Sequence, residues 1–146
     1  MDTGIRQIDM QHQELVSLIN EMERAQAGGR SSMALDDILP SLTTCALLHF
    51  GDEELLLAQV AENTTFAEHH LKEHRNFVDE IQRLIAHRAS QSDSDLVTVL
   101  TLYLADWLVL HISGTDRVLA RVLLSKSTPK WLSAIGLVML PATVLP

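Results

Sequence analysis

Seven histidines stand against a single cysteine, Cys45, in this chain. Five of the seven fall where a helical apolar pattern would otherwise place a leucine. They are His12, His49, His70, His74 and His111, and Glu53 and Asp116 share their stripes. His49 and Glu53 are four apart, as are His70 and His74, so each pair lies nearly one above the other on a helix face. His111 and Asp116 are five apart, which advances a regular helix by roughly 500° and leaves an offset of about 140°. They converge only if the helix axis runs close to the site or the turn between them is distorted, and Ser113-Gly114 lies there. One buried histidine is ordinarily a hydrogen-bonded core residue. Five imidazoles and two carboxylates buried together would be very costly without compensation. Shared cations remove that penalty, because the charged groups then act as ligands. With no thiolate set, the donors suit iron, with zinc, copper or nickel also admissible on affinity grounds. Magnesium and calcium are disfavoured, since both demand oxygen ligands.

The elements that must carry these side chains read as four helices. Apolar residues recur at spacings of three and four, and no strand-like alternation or internal repeat competes. The first helix is expected to start near Asp9 as N-cap. Its stripe is Ile5, Ile8, His12, Leu15, Ile19 and Met22, and it stops at Gly28-Gly29. The second is expected from Asp36-Asp37, with Pro40 in its first turn. It carries Ile38, Leu42, Cys45, His49, Glu53, Leu56 and Val60 in register. A linker around Asn63 and Thr64 precedes a capping box, Thr65-Phe66-Ala67-Glu68, that opens the third. That helix presents His70, His74, Phe77, Ile81 and Leu84. After a polar break over Ala89–Ser94, the fourth begins near Ser94 or Asp95 and runs to about Ser125. Short connections between amphipathic helices imply an all-α, up-down-up-down four-helix bundle.

Composition narrows the functional class. At 146 residues the chain is one domain's length. With 11 Lys+Arg against 19 Asp+Glu, its formal charge is −8, which argues against nucleic acid or an anionic membrane surface as partner. One cysteine excludes an internal disulfide and a cysteine-based zinc or iron–sulfur site, and the reducing cytoplasm is the expected location. The opening residues hold Asp2, Arg6, Asp9 and Glu14 and no apolar core, so no secretory signal is expected. Leu96–Thr115 is apolar except for Asp106 and His111 and reads as a buried helix rather than a membrane span.

Order and local spacing then carry a resemblance. His12, His49-x-x-x-Glu53, His70-x-x-x-His74 and His111-x-x-x-x-Asp116 resemble the hemerythrin pattern, specifically its bacterial branch. The flanking residues agree. They include Ile8-Asp9-Met10-Gln11 before His12, Phe50 after His49, Glu73-His74 followed by Phe77, Trp107-Leu108 before His111-Ile112, and Thr115-Asp116. The resemblance covers roughly residues 4–124. The family's Tyr-Pro in the loop between Glu53 and His70 is missing here, as is its tryptophan ahead of the first helix.

The resemblance implies a non-haem di-iron centre, two iron ions with an oxo or hydroxo bridge. His70, His74 and His111 would bind one iron, His12 and His49 the other, and Glu53 and Asp116 would bridge them. One coordination position stays open, on the second iron. There O₂ would bind reversibly as both irons pass from ferrous to ferric. The implied use is oxygen sensing, delivery or storage, by a binding protein rather than an enzyme. The expected pocket wall is Leu15, Ile19, Phe50, Trp107, Leu108 and Ile112, apolar so as to limit water and protons.

Rival readings explain fewer residues. His70-Leu71-Lys72-Glu73-His74 matches the H-x-x-E-H string of inverted zinc proteases, with Glu73 as base. That leaves His12, His49, Glu53, His111 and Asp116 idle, so Glu73 is expected at the surface or behind a ligand. Ferritin-like di-iron enzymes use mostly carboxylates with paired Glu-x-x-His motifs, and no such pair occurs here. A redox enzyme or sensor acting on O₂, peroxide or nitric oxide is the remaining alternative. His69 and His87 are expected at the surface. Cys45 is expected as a small buried hydrophobe. Residues 1–126 are expected to form the bundle and 127–146 an apolar tail, in which Trp131–Pro146 has no charge. Such a run suits folding back onto the bundle, a homo-oligomer contact or a signalling partner.

Overall fold

In a computed structural model, which describes residues 2–60 and 64–127, the described chain is helical throughout and contains no strand. The helices are α1 (Arg6–Ala27), α2 (Ser31–Met33), α3 (Leu39–Gln59), α4 (Thr64–Ala86), α5 (Asp93–His111) and α6 (Arg117–Ser127). A π turn at Ala34–Ile38 joins α2 to α3, and another at Ile112–Asp116 joins α5 to α6. The result is four rods. The first packs on the second and fourth, and the third completes the ring against the same two. This is the up-down-up-down bundle. The predicted tail, residues 127–146, lies outside the described residues except for the backbone of Ser127.

Each rod end has a local cause. The first rod stops in a Schellman motif. Gly29 adopts φ 72°, its N–H donates to Gln26, and the N–H of Arg30 donates back to Ala25. Asp9 is not the N-cap, because the helix already begins at Arg6. Its carboxylate instead accepts from the backbone N–H groups of Thr3 and Gly4 and from the Thr3 hydroxyl, pinning the leader against the first turns. The second rod starts at Ser31, five residues before the predicted Asp36. Pro40 therefore lies well inside it, where a proline lacks the N–H that would bond Asp36. The π turn falls at this interruption. Thr65 lies inside α4, which begins at Thr64, so the predicted capping box does not open the helix. The fourth rod begins at Asp93, capped by Ser92, whose hydroxyl accepts from the Asp95 N–H.

The core runs the length of the rods. Met22, Leu42, Leu96, Leu100, Leu104 and Ile112 are fully buried, each contributing roughly 1.5–3 kcal/mol by leaving water. Cys45 is half-buried and packs on this core rather than within it. The stretch Asp93–Lys126 is long and apolar enough to cross a membrane, yet its inward face packs on the other rods and carries His111 and Asp116.

Candidate metal centre

All seven predicted ligand residues are buried, and the rods bring them to one place. Glu53, His70, His74 and His111 form one group whose donor atoms lie within 4.8 Å of one another, and His12, His49, Glu53 and Asp116 form a second. Glu53 belongs to both. Its Oε2 lies 3.0 Å from His70 Nε2, 3.1 Å from His74 Nε2, 3.4 Å from His49 Nε2 and 3.5 Å from His111 Nε2. Asp116 divides its two oxygens between the groups. Oδ1 faces His111 Nε2 at 2.9 Å and His70 Nε2 at 3.6 Å, while Oδ2 faces His12 Nε2 at 2.9 Å and His49 Nε2 at 3.7 Å.

The five-residue step from His111 to Asp116 is taken up by the π turn. Its hydrogen bonds close one residue further along than in an α-helix, so it absorbs one extra residue and turns both side chains inward. Gly114 has an ordinary helical φ there, and a Cβ on it would meet nothing within 4 Å. The turn does not require glycine.

Without cations the cluster is badly satisfied. Of the converging groups, His49 Nε2, Glu53 Oε1 and Asp116 Oδ1 are buried with no well-directed hydrogen bond, Asp116 Oδ1 despite lying 2.9 Å from His111 Nε2, while His12 Nδ1 and His70 Nδ1 are unpaired on the far sides of their rings. Each such atom costs of the order of 1–3 kcal/mol. His74 and His111 point Nε2 at Nε2, 3.2 Å apart, an arrangement that one proton can satisfy only on one side. Burial drives the Glu53 carboxyl upward, but hydrogen bonds from His111, His70 and His74 overcome this and hold it far below the ordinary carboxylate range. For Asp116 burial also raises, and contacts from His111, His12 and His49 bring it down to about 2. Burial lowers His111, yet Asp116 and Glu53 lift it to about 10. His74 is lowered, chiefly by burial. Two ionised carboxylates therefore hold a proton on His111. A pair of divalent cations would fit the same donors and satisfy the converging nitrogens and oxygens together.

Three imidazoles are held from behind by groups that spacing on one helix could not reveal. His49 Nδ1 donates to the amide oxygen of Gln11 at 3.1 Å. Gln11 and Gln7 in turn donate to the same Asp52 oxygen at 2.6 and 2.7 Å. His111 Nδ1 donates to Glu73 Oε2 at 2.8 Å, and His74 Nδ1 faces Glu54 at 3.4 Å. Such partners orient a ligating imidazole and fix its tautomer. Glu73 thus stands behind His111, and the protease arrangement has no support from its position.

The predicted apolar wall divides. Leu15, Ile19, Trp107 and Leu108 line a small, partly open recess of about 10 Å³ together with Leu42, Ala46, Phe77 and Leu104, just enough for the centre of one small molecule. Phe50 and Ile112 do not line it. Phe50 stacks on His74 with ring centroids 4.0 Å apart, and Ile112 is buried in the core. Trp107 also stacks on His111, at 4.3 Å. Ile19 and Leu108 additionally border a surface groove between α1 and α5. His69 is exposed, and His87 sits at the C-terminal end of α4, donating to the Arg83 carbonyl.

This bundle, with histidines and acids converging from every rod, has known counterparts. The family described as the hemerythrin HHE cation binding domain matches residues 3–123, and the chain belongs to it. It is 32% identical over 117 residues to the bacteriohemerythrin of Pseudomonas aeruginosa, a match covering 80% of this chain and 72% of that protein. The bacteriohemerythrin of Pseudomonas paraeruginosa matches with the same identity and coverage. That of Stenotrophomonas maltophilia is 27% identical over 121 residues, covering 82% of this chain and 75% of its own.

Proposed function

We propose that this chain is an oxygen-binding protein that holds two iron ions in its bundle. The ligands in this reading are His70, His74 and His111 for one iron and His12 and His49 for the other, with Glu53 and Asp116 reaching both. The observation that carries it is the sharing of the two carboxylates between two donor groups, with His49 Nε2, Glu53 Oε1 and Asp116 Oδ1 buried there and unpaired. The names of the family and the relatives point the same way. The iron pair, when bound, supplies two electrons for reversible dioxygen binding.

The chain's own residues do the rest. The count of donors leaves the His12–His49 side one imidazole short of the other, so the free position falls there. Leu15, Ile19, Trp107 and Leu108 keep the approach dry, which suppresses proton delivery and irreversible oxidation. A histidine-rich set with two carboxylates favours binding over oxidation chemistry, so the chain acts as a binding protein and not an enzyme. Sensing, delivery and storage all use this property. The division into a bundle over 1–126 and a tail over 127–146, and a reducing cytoplasmic setting for ferrous iron and the Cys45 thiol, belong to the same reading.

The test is iron content and visible absorption through reduction, exposure to O₂ and its removal. About two irons per chain, with an oxo-bridge band that rises with O₂ and falls on deoxygenation, is the expected result. One-way oxidation would favour a redox enzyme or sensor. One zinc or no metal would end the di-iron reading.

A further inference from the structure

Glu73 makes contacts that the metal-binding reading leaves unused. It precedes His74 on α4, and its side chain is 30% exposed. One of its oxygens, Oε2, accepts two hydrogen bonds from the neighbouring rod, from His111 Nδ1 at 2.8 Å and from the Thr115 hydroxyl at 2.6 Å. The other oxygen lies 3.8 Å from the exposed His69. His111 is the last residue of α5, and Thr115 is the penultimate residue of the π turn that follows. One carboxylate oxygen therefore grips the fourth rod at both ends of its irregular turn.

We infer that Glu73 is a positioning residue for the centre, a clamp from α4 that holds the π turn and thereby aims both His111 and Asp116. The inference rests on the metal-binding reading above and deepens it. With Nδ1 committed to Glu73, His111 offers only Nε2 to the interior, where Asp116 Oδ1 lies 2.9 Å away. With the Thr115 hydroxyl drawn outward to Glu73, the next residue, Asp116, is turned inward. A regular α-helix would separate His111 from Asp116 by about 140° around the axis. The clamp is one side-chain contact that opposes relaxation of the turn toward that state. A negative charge behind the imidazole also makes it a stronger donor. His49 has a neutral amide in the same place, so the two halves of the centre differ in the charge behind their ligands.

The test is titration of cobalt(II) into the metal-free full chain, followed by visible absorption, with circular dichroism to check the fold. The unsubstituted chain should take up two ions. Glu73→Ala should weaken the step at the His111 group by about 10- to 100-fold, the usual effect of losing such a partner, and weaken the other step, which shares only Asp116 of the two aimed residues, distinctly less. Glu73→Gln, which keeps an acceptor oxygen, should recover much of that loss. Thr115→Val, which removes one of the two bonds, should weaken the same step less, and it serves if Glu73→Ala does not fold. Unchanged affinities and an unchanged spectrum in Glu73→Ala would overturn the clamp. So would equal weakening of both steps, which is what general loosening of the bundle produces. Failure of the unsubstituted chain to bind cobalt or iron would instead defeat the metal-binding reading itself, and this inference with it.

Discussion

The most demanding residues in the bundle are Glu53 and Asp116. Two ionised carboxylates in an apolar interior need positive charge close by, and in the metal-free chain protonated His111 supplies it. The sign of the pH dependence follows. Both carboxyls are held below their ordinary values, so their stabilising effect is present above those values and fades as pH falls through the folded ones, for Asp116 toward about 2. His111 is raised to about 10, so its contribution is present below its ordinary 6.5 and is lost as pH rises through about 10. The metal-free protein should therefore lose stability toward both extremes, and thermal melts across the pH range would show it. Metal uptake must displace the proton on His111, so loading should release protons and tighten with rising pH, measurable by calorimetry in buffers of different ionisation heat. Glu53→Ala should remove the residue common to both donor groups and abolish loading of the pair, read as metal per chain. The convergence of these side chains was legible because histidine at a leucine position is conspicuous. Gln11, Glu54 and Thr115 were not, because each meets its imidazole or Glu73 across two rods, and sequence spacing reports only neighbours on one helix.

At the level of the element, the two π turns are what the sequence pattern hid. A five-residue interval between His111 and Asp116 signals a distorted turn but does not name its kind. The second rod starts earlier than Asp36 because the π turn at Ala34–Ile38 lets helix persist on both sides of Pro40. Neither Asp9 nor Thr65 caps a helix, although both have the right side chain, since a cap is defined by where the backbone turns. Gly114 has space around it and a helical φ, so Gly114→Ala should raise stability by about 0.5–1 kcal/mol, visible as a higher melting temperature with metal content unchanged. Ser92→Ala should remove the N-cap of α5 at a cost of about 1 kcal/mol, seen in denaturant melts.

Across the whole molecule, site and core compete for the same interior. Leu104 is buried and borders the small recess together with Trp107 and Leu108. Leu104→Ala should cost about 2–5 kcal/mol and admit water beside the centre, so faster loss of the ferrous state should accompany the lower stability. Leu110 is 74% exposed, and Leu110→Ser should change neither by a measurable amount. Fold class was readable from periodicity because every rod has one apolar face, and the bundle topology followed from short connections. The small recess was not readable, because whether Phe50 or Phe77 borders it depends on which rotamer fills the space.

The turn at Ile112–Asp116 can also be seen as a phase slip in a one-dimensional lattice. Upstream of it, one angular register puts Leu104, Leu108 and His111 inside; downstream, a shifted register puts Leu119 and Ala120 inside. Removing a single residue from the turn would heal the slip and leave His111 and the aspartate four apart, about 40° from each other on a regular helix. Asp116 and Leu119 would then keep their inward face, whereas relaxing the turn to a regular helix with all its residues kept would swing both away by about 100°. A one-residue deletion at Ser113 or Gly114 should therefore be better tolerated than an insertion there. Over this stretch the chain is constrained by the angle between two inward faces more than by its chemistry.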